Sequence, residues 1–264
     1  MKRIPISINL SDFPHQLHPY LSDALIFDSS CSSEARVLFS DKNHGFYIKS
    51  APCGTLQTEC QMTRFFHRKG LATEVVEYFC DKASCKDWLV TRKVPGEDCT
   101  HQCYLENPEK LCETLALSLR ALHELPTNGC PVPDRLSSYF ETAKTNYLSG
   151  NYDKSHFPDS FGYSCGEQAW QTVVQHGSIL KCDTLIHGDA CLPNVMLDNW
   201  KFSGFIDVGN GGVGDRHIDL FWGAWSLAFN LKTDKYTNRF FDAYGIERID
   251  KEILKVVAAF EVFG

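Results

Sequence analysis

The sequence predicts an α+β fold in two parts, the first rich in strands and the second mainly helical. Residues 36–40 and 45–50 alternate between apolar and polar side chains, as half-buried strands do. Further along the chain, over residues 108–122, leucines recur at the spacing of one helix face. Because 43% of the 264 residues are apolar, the chain can bury one sizeable core or two smaller ones.

A connector between the two parts is predicted at residues 92–96, Arg-Lys-Val-Pro-Gly, where the Pro-Gly pair marks a turn. We therefore predict a first lobe over residues 1–91, a hinge over 92–96 and a second lobe over 97–264. In a nucleotide-binding protein of this plan, backbone groups of the hinge would bind the adenine. The candidates for that contact lie near Arg92 and Val94.

A polar loop at residues 28–33 precedes the first strand pair, where a loop would cover the phosphates of a nucleotide. It contains no glycine, so it differs from the glycine-rich loop of protein kinases. Hydroxyl and backbone N–H groups can still bind phosphate, and Ser32 and Ser33 are the candidates. A polar surface turn is the open alternative for both serines.

The lysine near the end of the second predicted strand, Lys49, is a candidate for phosphate binding. A kinase needs one lysine at this place, held by a glutamate on the next helix. Glu59 lies on that predicted helix, residues 56–68, whose apolar side chains recur at helical spacing. A solvent-facing strand lysine is the alternative, and the motif downstream favours the functional interpretation.

The most specific motif lies within residues 185–219 and contains two aspartates and an asparagine. His-Gly-Asp ends at Asp189, Asn194 follows five residues later, and Asp207 stands between an apolar run and Val-Gly. Protein kinases use these residue types in this order, as a base and two metal ligands. Each fragment alone is compatible with chance, so the combination and its spacing predict phosphoryl transfer.

These residue types suit the chemistry of phosphoryl transfer. The reaction needs alignment of the reactants and positive charge against the phosphate oxygens. Mg²⁺ supplies that charge and prefers hard oxygen ligands, so Asn194 and Asp207 are the predicted metal ligands. Asp189 is predicted to remain free of metal and to accept the proton of an attacking hydroxyl.

The net charge of −7 is unevenly distributed along the chain. Residues 1–96 contain 12 basic and 10 acidic residues, whereas residues 97–264 contain 14 basic and 23 acidic residues. An acidic second lobe attracts a cationic acceptor and repels nucleic acid. Ordinary solubilising charge would give the same asymmetry, so charge alone does not identify the acceptor.

Together these features resemble those of the aminoglycoside 3′-phosphotransferases over nearly the whole chain. The resemblance implies a bilobal protein-kinase-like fold with a small antiparallel-sheet N-lobe and a mainly helical C-lobe. It also implies Mg²⁺-dependent transfer of the γ-phosphate of ATP or GTP to the 3′-hydroxyl of kanamycin and neomycin, which confers resistance. The resemblance rests on the serine-containing loop, Lys49, Glu59, residues 119–123, the HGDxxxxN motif at Asp189, the FIDxG motif at Asp207, and Asp215 and Asp219.

The same resemblance implies roles for further acidic residues. Asp219 would brace the catalytic loop from a helix. An acidic insert and the C-terminal segment would bind the amino groups of the drug. The counterparts here are Asp159 and Glu167 in the insert, and Glu261 and Gly264 in the C-terminal segment. For any one acid of the insert, a solvated loop carboxylate is the alternative.

One position departs from the pattern of the family. Many members carry arginine three residues after the metal-binding aspartate, where this sequence has Asn210. Asparagine can form hydrogen bonds but cannot replace a positive charge. The departure therefore concerns acceptor preference and efficiency more than the type of reaction.

Two other functions remain compatible with the motifs. A kinase of the same fold would act on a small hydroxylated metabolite such as choline, an amino acid or a sugar. A non-catalytic nucleotide-binding scaffold is the third possibility. The joint presence of Lys49, Asp189, Asn194 and Asp207 argues against the scaffold, since an inactive kinase usually lacks one of them.

The N-terminal sequence lacks the apolar core of a signal peptide, which predicts a cytoplasmic protein with reduced thiols among its twelve cysteines. The longest uncharged apolar run, residues 220–231, is too short to span a membrane and predicts a buried helix. No membrane or nucleic-acid partner is expected, and the protein is predicted to be a monomer or a weak dimer. A less favoured alternative is a zinc cluster of Cys80, Cys85, Cys99 and Cys103, whose spacing is unusual for such sites.

Overall fold

The protein is described by a computed structural model over residues 3–31, 34–152 and 162–264. The predicted α+β class is confirmed, because an antiparallel sheet and several helices account for most of these residues. Within the same ranges, no helix combines the length and the apolar character that crossing a bilayer requires.

Two compact units divide the chain. The chain leaves the first unit after Asp98 and returns to it for a short segment that ends at Gly209. Residues 92–96, the predicted hinge, lie within the first unit. The first unit consists of Met1–Asp98 and Met196–Gly209, and the second of Cys99–Val195 and Asn210–Gly264.

A six-stranded antiparallel sheet forms most of the first unit, with strand order β1-β2-β3-β4-β6-β5. The predicted hairpin is confirmed: its two strands pair from Arg36 opposite Ser50 to Ser40 opposite Phe46. The strands are β1 (Ile4–Ile6), β2 (Ile26–Asp28), β3 (Arg36–Ser40), β4 (Phe46–Pro52), β5 (Val75–Asp81) and β6 (Lys86–Arg92).

Two helices accompany this sheet, a short α1 (His18–Leu21) and a longer α2 (Gln57–Arg68). The helix predicted from the apolar spacing is thus confirmed as α2, which follows directly on the loop after β4. Burying each large apolar side chain contributes about 1.5–3 kcal/mol, so packing rather than local propensity stabilises α2. Its buried apolar residues are Cys60, Met62, Phe65 and Phe66.

A small three-stranded sheet completes the first unit, with strand order β10-β9-β7. Its strands are β7 (Glu97–Asp98), β9 (Val195–Asp198) and β10 (Lys201–Phe205). The N–H of Phe205 donates to the carbonyl of Leu71 at 2.7 Å, which anchors the end of β10. The apolar run before Asp207 is thus the end of β10, and this bond fixes the position of the chain two residues before the aspartate.

The second unit is mainly helical. The leucine stripe of the sequence is confirmed in α4, where Leu111, Leu115, Leu119 and Leu122 are fully buried. Its helices are α3 (Gln102–Leu105), α4 (Pro108–His123), α5 (Arg135–Ser149), α6 (Gly166–His176), α7 (Arg216–Leu231), α8 (Thr237–Tyr244) and α9 (Lys251–Glu261). Strands β8 (Thr184–Ile186) and β11 (Gly212–Gly214) of the same unit form an antiparallel pair.

The prediction of a buried helix over residues 220–231 is only partly right. The segment is the main part of α7, but Phe229 is 56% exposed and Trp222 and Trp225 are half-buried. Phe229 stacks on Trp225 with ring centroids 5.1 Å apart. An apolar sequence does not identify the outer face of a helix, which here is covered by aromatic rings in contact with each other.

The prediction of reduced thiols is wrong for one pair, since Cys53 and Cys80 form a disulfide. The pairing follows from the strand order, in which β5 lies beside β6 and β6 beside β4. The four cysteines of the alternative zinc cluster do not form a group in the part of the chain that the structure describes. Cys99 is buried, whereas Cys85 and Cys103 are exposed.

Candidate active site

Lys49 on β4 is held by two carboxylates of the first unit. Its Nζ donates to Glu59 Oε2 at 2.8 Å and to Asp207 Oδ1 at 2.9 Å. The predicted contact between Lys49 and Glu59 is confirmed, and Glu59 lies in the first turn of α2. Burial alone would lower the pKa of Lys49, but Asp207 and then Glu59 outweigh it and raise this pKa above its usual range. The lysine therefore stays charged at any physiological pH.

Asp207 has an unusual backbone conformation. It follows β10 with a φ of 54°, in the left-handed region that few residues other than glycine adopt. Its side chain is 51% exposed, so it can reach a ligand from solvent. Residues held in such sparsely populated regions concentrate at functional sites.

The loop that contains the HGD motif follows β8, and its residues 187–194 lie in the second unit. Asn194 donates through Nδ2 to both the backbone oxygen and Oδ2 of Asp189, each at 2.9 Å. Gly188 adopts a φ of 84°, and a Cβ at this position would overlap the backbone oxygen of Asn210. Glycine is thus required beside Asp189, since its neighbours leave no room for a side chain.

The donor atoms of the predicted metal ligands fit Mg²⁺. Asn194 uses Nδ2 for both of its described bonds, so its oxygen Oδ1 is the atom suited to a cation. Lys49 contacts Oδ1 of Asp207, so Oδ2 is the oxygen of that carboxylate that is suited to a cation. A carboxamide oxygen and a carboxylate are both hard ligands of the type that Mg²⁺ prefers.

Asp219 braces the loop that contains the HGD motif, and this predicted contact is confirmed. From the first turn of α7, its carboxylate accepts the backbone N–H groups of His187 at 2.8 Å and of Gly188 at 2.7 Å. His123 Nε2 lies 3.0 Å from Asp219 Oδ2, and the phenol of Tyr244 bonds to the other ring nitrogen of His123. Asp219 is fully buried, so its hydrogen bonds to the two loop N–H groups are shielded from water.

Replacement of Asp219 by asparagine is expected to destabilise the protein by about 3 kcal/mol. An amide has one accepting oxygen, so one loop N–H loses its partner, and a hydrogen bond to a charged group is worth about 1.5–3 kcal/mol. Urea unfolding measures the difference. The matched control is Asp242→Asn on the exposed side of α8, for which a change within about 0.5 kcal/mol is expected. Equal effects of the two variants would contradict the bracing role.

Asn210, the position that departs from the family pattern, is bonded to an arginine. The guanidinium of Arg135, the first residue of α5, donates to Asn210 Oδ1 at 2.6 Å. The sequence did not identify Arg135, because 75 residues separate the pair. A positive charge is thus present beside position 210, although it comes from another element of the second unit.

Glu261, predicted to bind the acceptor, is buried at the end of α9. It is 8% exposed and its Oε1 accepts the phenol O–H of Tyr139 at 2.6 Å. Burial raises the pKa of Glu261 to about 7, against the bond from Tyr139, which lowers it. The carboxyl group therefore titrates near neutral pH, and its role toward an acceptor stays a prediction.

The stability of the protein is expected to depend on the titration of Glu261 between about pH 4.5 and 7. The raised pKa favours the protonated folded state, so the stabilising effect is complete below about pH 4.5 and is lost as pH rises through 7. The change amounts to about 3 kcal/mol, since each pKa unit corresponds to about 1.4 kcal/mol. Unfolding free energies of Glu261→Gln and the wild type are compared across this range. We expect the variant to gain relative stability with rising pH, while Glu252→Gln, exposed on the same helix, runs parallel to the wild type.

The remaining predicted residues have varied surroundings. Arg92 pairs with Glu74 at 3.0 Å, and Val94 is buried within the first unit. Glu167 is exposed on α6 and accepts the phenol O–H of Tyr147 at 2.5 Å. The exposed Gly264 donates its N–H to the carbonyl of Glu261 at 3.4 Å. Three predicted residues, Ser32, Ser33 and Asp159, lie outside the described residues.

Comparison with known sequences reveals a match over most of the chain. The profile of the Phosphotransferase enzyme family matches residues 26–256. A protein of Lactococcus lactis subsp. lactis, named a probable aminoglycoside 3′-phosphotransferase, is 47% identical over 259 residues, which cover 98% of each chain. An aminoglycoside 3′-phosphotransferase of Streptomyces fradiae is 32% identical over 205 residues, or 75% of this chain and 76% of that one.

Solved structures share the fold. An aminoglycoside phosphotransferase from Streptomyces rimosus aligns with a TM-score of 0.74 over 98% of this chain and 100% of that chain, at 22% identity. The Streptomyces rimosus enzyme in complex with ADP and streptomycin aligns with a TM-score of 0.72 over 97% of this chain and 99% of that one, at 20% identity. At these identities the likeness is evidence of the fold alone.

Proposed function

The chain belongs to the aminoglycoside 3′-phosphotransferases of the Phosphotransferase enzyme family, and we propose that it phosphorylates the 3′-hydroxyl of kanamycin- and neomycin-type aminoglycosides. The phosphate donor would be the γ-phosphate of ATP or GTP, with Mg²⁺ as the cofactor. In a bacterium exposed to such a drug, phosphorylation of the drug would give resistance. The observation that carries the phosphoryl-transfer chemistry is the lysine, Lys49, held 2.8 Å from Glu59 and 2.9 Å from Asp207.

In this proposal the first unit binds the nucleotide. Lys49 donates to oxygens of the α- and β-phosphates while Glu59 keeps it in place. The nucleotide would replace Asp207 as a partner of Lys49, which frees Oδ1 of that carboxylate. Mg²⁺, held by oxygens of Asn194 and Asp207, would neutralise the charge that develops on the phosphates. The assignment of these two ligands rests on the sequence motif and on the donor chemistry of each residue.

Asp189 would act as the general base. Its carboxylate accepts the proton of the 3′-hydroxyl as that oxygen forms a bond to the γ-phosphorus. The bond between this phosphorus and the β–γ bridging oxygen breaks, and the nucleoside diphosphate leaves. The bond from Asn194 Nδ2 to Asp189 Oδ2 orients the carboxylate, so the base is positioned before the hydroxyl arrives.

The choice of an aminoglycoside as acceptor is supported by the names of the relatives and by charge. Residues 97–264 contain nine more acidic than basic residues, and aminoglycosides are polycations. Electrostatic attraction of this kind raises association rates and weakens with added salt. The apparent KM for the drug should therefore rise with ionic strength, whereas the KM for a neutral sugar acceptor would change less.

A panel of acceptors tests the proposed function. Nucleoside diphosphate release from ATP or GTP is followed with kanamycin, with neomycin, and with lividomycin, which lacks a 3′-hydroxyl. Kanamycin B and its 3′-deoxy derivative form a matched pair that differs in one oxygen. We expect turnover on every acceptor that carries the 3′-hydroxyl and loss of turnover on the deoxy derivative, with ³¹P–¹H correlation locating the phosphate on O3′.

Each other outcome has a definite meaning. Equal turnover of the matched pair would mean that a hydroxyl other than O3′ accepts the phosphate. Silence on all acceptors with intact nucleotide binding would contradict the aminoglycoside proposal in favour of a kinase for a small metabolite. Asn210 and Arg135 would then be the first positions to exchange, because they form the local departure from the family pattern.

A further inference from the structure

A second cluster of ligating side chains lies in the first unit, on residues that the phosphoryl-transfer proposal does not use. Cys53 follows β4, Cys80 lies in β5 and Asp87 in β6. The two sulfur atoms and a carboxylate oxygen all lie within 4.8 Å of one another. Both cysteines are exposed, whereas Asp87 is fully buried.

The register of the sheet explains this grouping. Asp87 is directly opposite Cys80 on one side and directly opposite Ala51 on the other. Directly opposite side chains share a face of the sheet, and Cys53 lies two positions after Ala51, which returns it to that face. The juxtaposition therefore belongs to the sheet itself rather than to a chance approach of loops.

One oxygen of Asp87 lacks a hydrogen bond. Its Oδ2 accepts the N–H groups of Gly54 at 2.9 Å and Leu56 at 3.0 Å, and the phenol O–H of Tyr78 at 3.2 Å. Its Oδ1 is buried and has no partner among the described residues. Buried polar atoms nearly always form hydrogen bonds, so this oxygen is an exception that a bound ligand would explain.

We propose that the reduced protein binds one thiophilic divalent cation of the Zn²⁺ class through Cys53 Sγ, Cys80 Sγ and Asp87 Oδ1. Tetrahedral Zn²⁺ has sulfur ligands at about 2.3 Å and carboxylate oxygens at about 2.0 Å. Those lengths require about 3.8 Å between the sulfurs and about 3.5 Å from sulfur to oxygen, so the two bonded sulfurs must move apart on reduction, while the 4.8 Å grouping keeps both near the carboxylate. A water molecule would complete the coordination, and the two thiolates select against Mg²⁺.

The disulfide and the metal site exclude each other. A dithiol reductant would give two electrons and two protons to the Cys53–Cys80 bond, yielding two thiols while the reductant closes to its own disulfide. Binding of the cation then releases the two thiol protons. The site is thus available only in the reduced protein. Exchange with an added small disulfide, which takes up the two electrons and leaves as two thiols, re-forms the Cys53–Cys80 bond and expels the ion.

Occupation of the site would act on the segment that leads into α2. The carboxylate of Asp87 holds the N–H of Leu56, the residue that caps the N-terminus of α2. A cation shared with Cys53 would connect this segment to β5, as the disulfide does, and through Asp87 also to β6. The fold around α2 would therefore be restrained in both redox states, by a covalent bond in one and by a metal in the other.

Titration of the full-length reduced protein with Cd²⁺ tests the proposal. Cd²⁺ is a probe for Zn²⁺ sites because its thiolate bonds absorb in the ultraviolet. We expect a one-to-one end point, displacement by Zn²⁺ but not by Mg²⁺, and no such site after oxidation of the pair. Alkylation followed by mass spectrometry should find Cys53 and Cys80 protected by the ion.

Matched variants separate this site from general thiol binding. Cys53→Ser, Cys80→Ser and Asp87→Asn should each remove the one-to-one end point. Cys165→Ser, an exposed thiol of the second unit, and Asp81→Asn, at the end of β5, should keep it. The two serine variants replace exposed side chains, so they keep the test valid even where Asp87→Asn fails to fold.

Two results would overturn the proposal. One is the absence of a one-to-one Cd²⁺ site in the reduced wild type. The other is a site that Cys165→Ser weakens as much as Cys80→Ser does, which would mean non-specific binding to surface thiols. Neither result bears on phosphoryl transfer, since the test needs no nucleotide or acceptor.

Discussion

Asp189→Asn is expected to lower kcat on kanamycin by about 10²–10⁴-fold, the usual contribution of a general base. The amide matches the carboxylate in shape and can still accept the bond from Asn194 Nδ2, which spans 2.9 Å in the wild type. What it cannot do is take a proton from the attacking hydroxyl. The loss should therefore appear in kcat, while the dissociation constant of the nucleotide stays close to that of the wild type.

Single-turnover kinetics and nucleotide titration together measure this split. The matched control is Asp198→Asn, an exposed carboxylate at the end of β9 whose described partner is its neighbour Asn199. We expect wild-type turnover from the control. If Asp189→Asn turned over at more than about one tenth of the wild-type rate, the base would have to be another group.

Whether a contact in this protein can be predicted from the sequence depends on how many residues separate its two partners. The hairpin of β3 and β4 and the helix α2 follow from periodicities of a few residues, and the structure confirms them. The contact between Lys49 and Glu59 spans ten residues and was also expected, because a lysine on a strand and a glutamate on the next helix form a known pair. Local pattern and short-range pairing were therefore sufficient for this half of the first unit.

Contacts between distant segments are a different case. The bond from Lys49 to Asp207 joins residues 158 positions apart, and the bond from Arg135 to Asn210 spans 75. Motif spacing identified Asp207 and Asn210 but offered no sign that a lysine and an arginine would be their partners. Charged residues at strand ends and helix starts look alike in a sequence, so the fold alone selects which of them meet.

The cysteines illustrate the same limit in another way. The lack of a signal peptide in the N-terminal sequence predicted reduced thiols, and nothing in the spacing of Cys53 and Cys80 favoured a bond between them. Sheet order brings β4 and β5 to either side of β6, where Asp87 is opposite Cys80 on one side and opposite Ala51, two residues before Cys53, on the other. A partner that depends on strand order cannot be predicted before the order is known.

Asp207→Asn is expected to reduce kcat/KM by about 10²–10³-fold, because charge stabilisation by a bound cation is worth several kcal/mol and each 1.4 kcal/mol is tenfold. The amide keeps one oxygen but loses the negative charge that attracts Mg²⁺. Turnover should then need a higher Mg²⁺ concentration than in the wild type.

The contact between Asp207 and Lys49 sharpens this prediction. In the wild type, Asp207 Oδ1 lies 2.9 Å from Lys49 Nζ and competes with phosphate oxygens for the same ammonium group. Removing the charge of Asp207 relieves this competition. In the presence of a chelator, the variant should therefore bind ATP or GTP at least as tightly as the wild type, although it binds the Mg²⁺ complex more weakly.

Calorimetric titration with and without Mg²⁺ distinguishes a metal ligand from a structural aspartate. A structural role would weaken both titrations, because the position of Lys49 would be lost in each. A ligand role weakens only the titration with Mg²⁺. Asp12→Asn, an exposed aspartate of the same unit, should alter neither. An unchanged Mg²⁺ requirement in Asp207→Asn would remove this residue from the ligand set and leave Lys49 as its main partner.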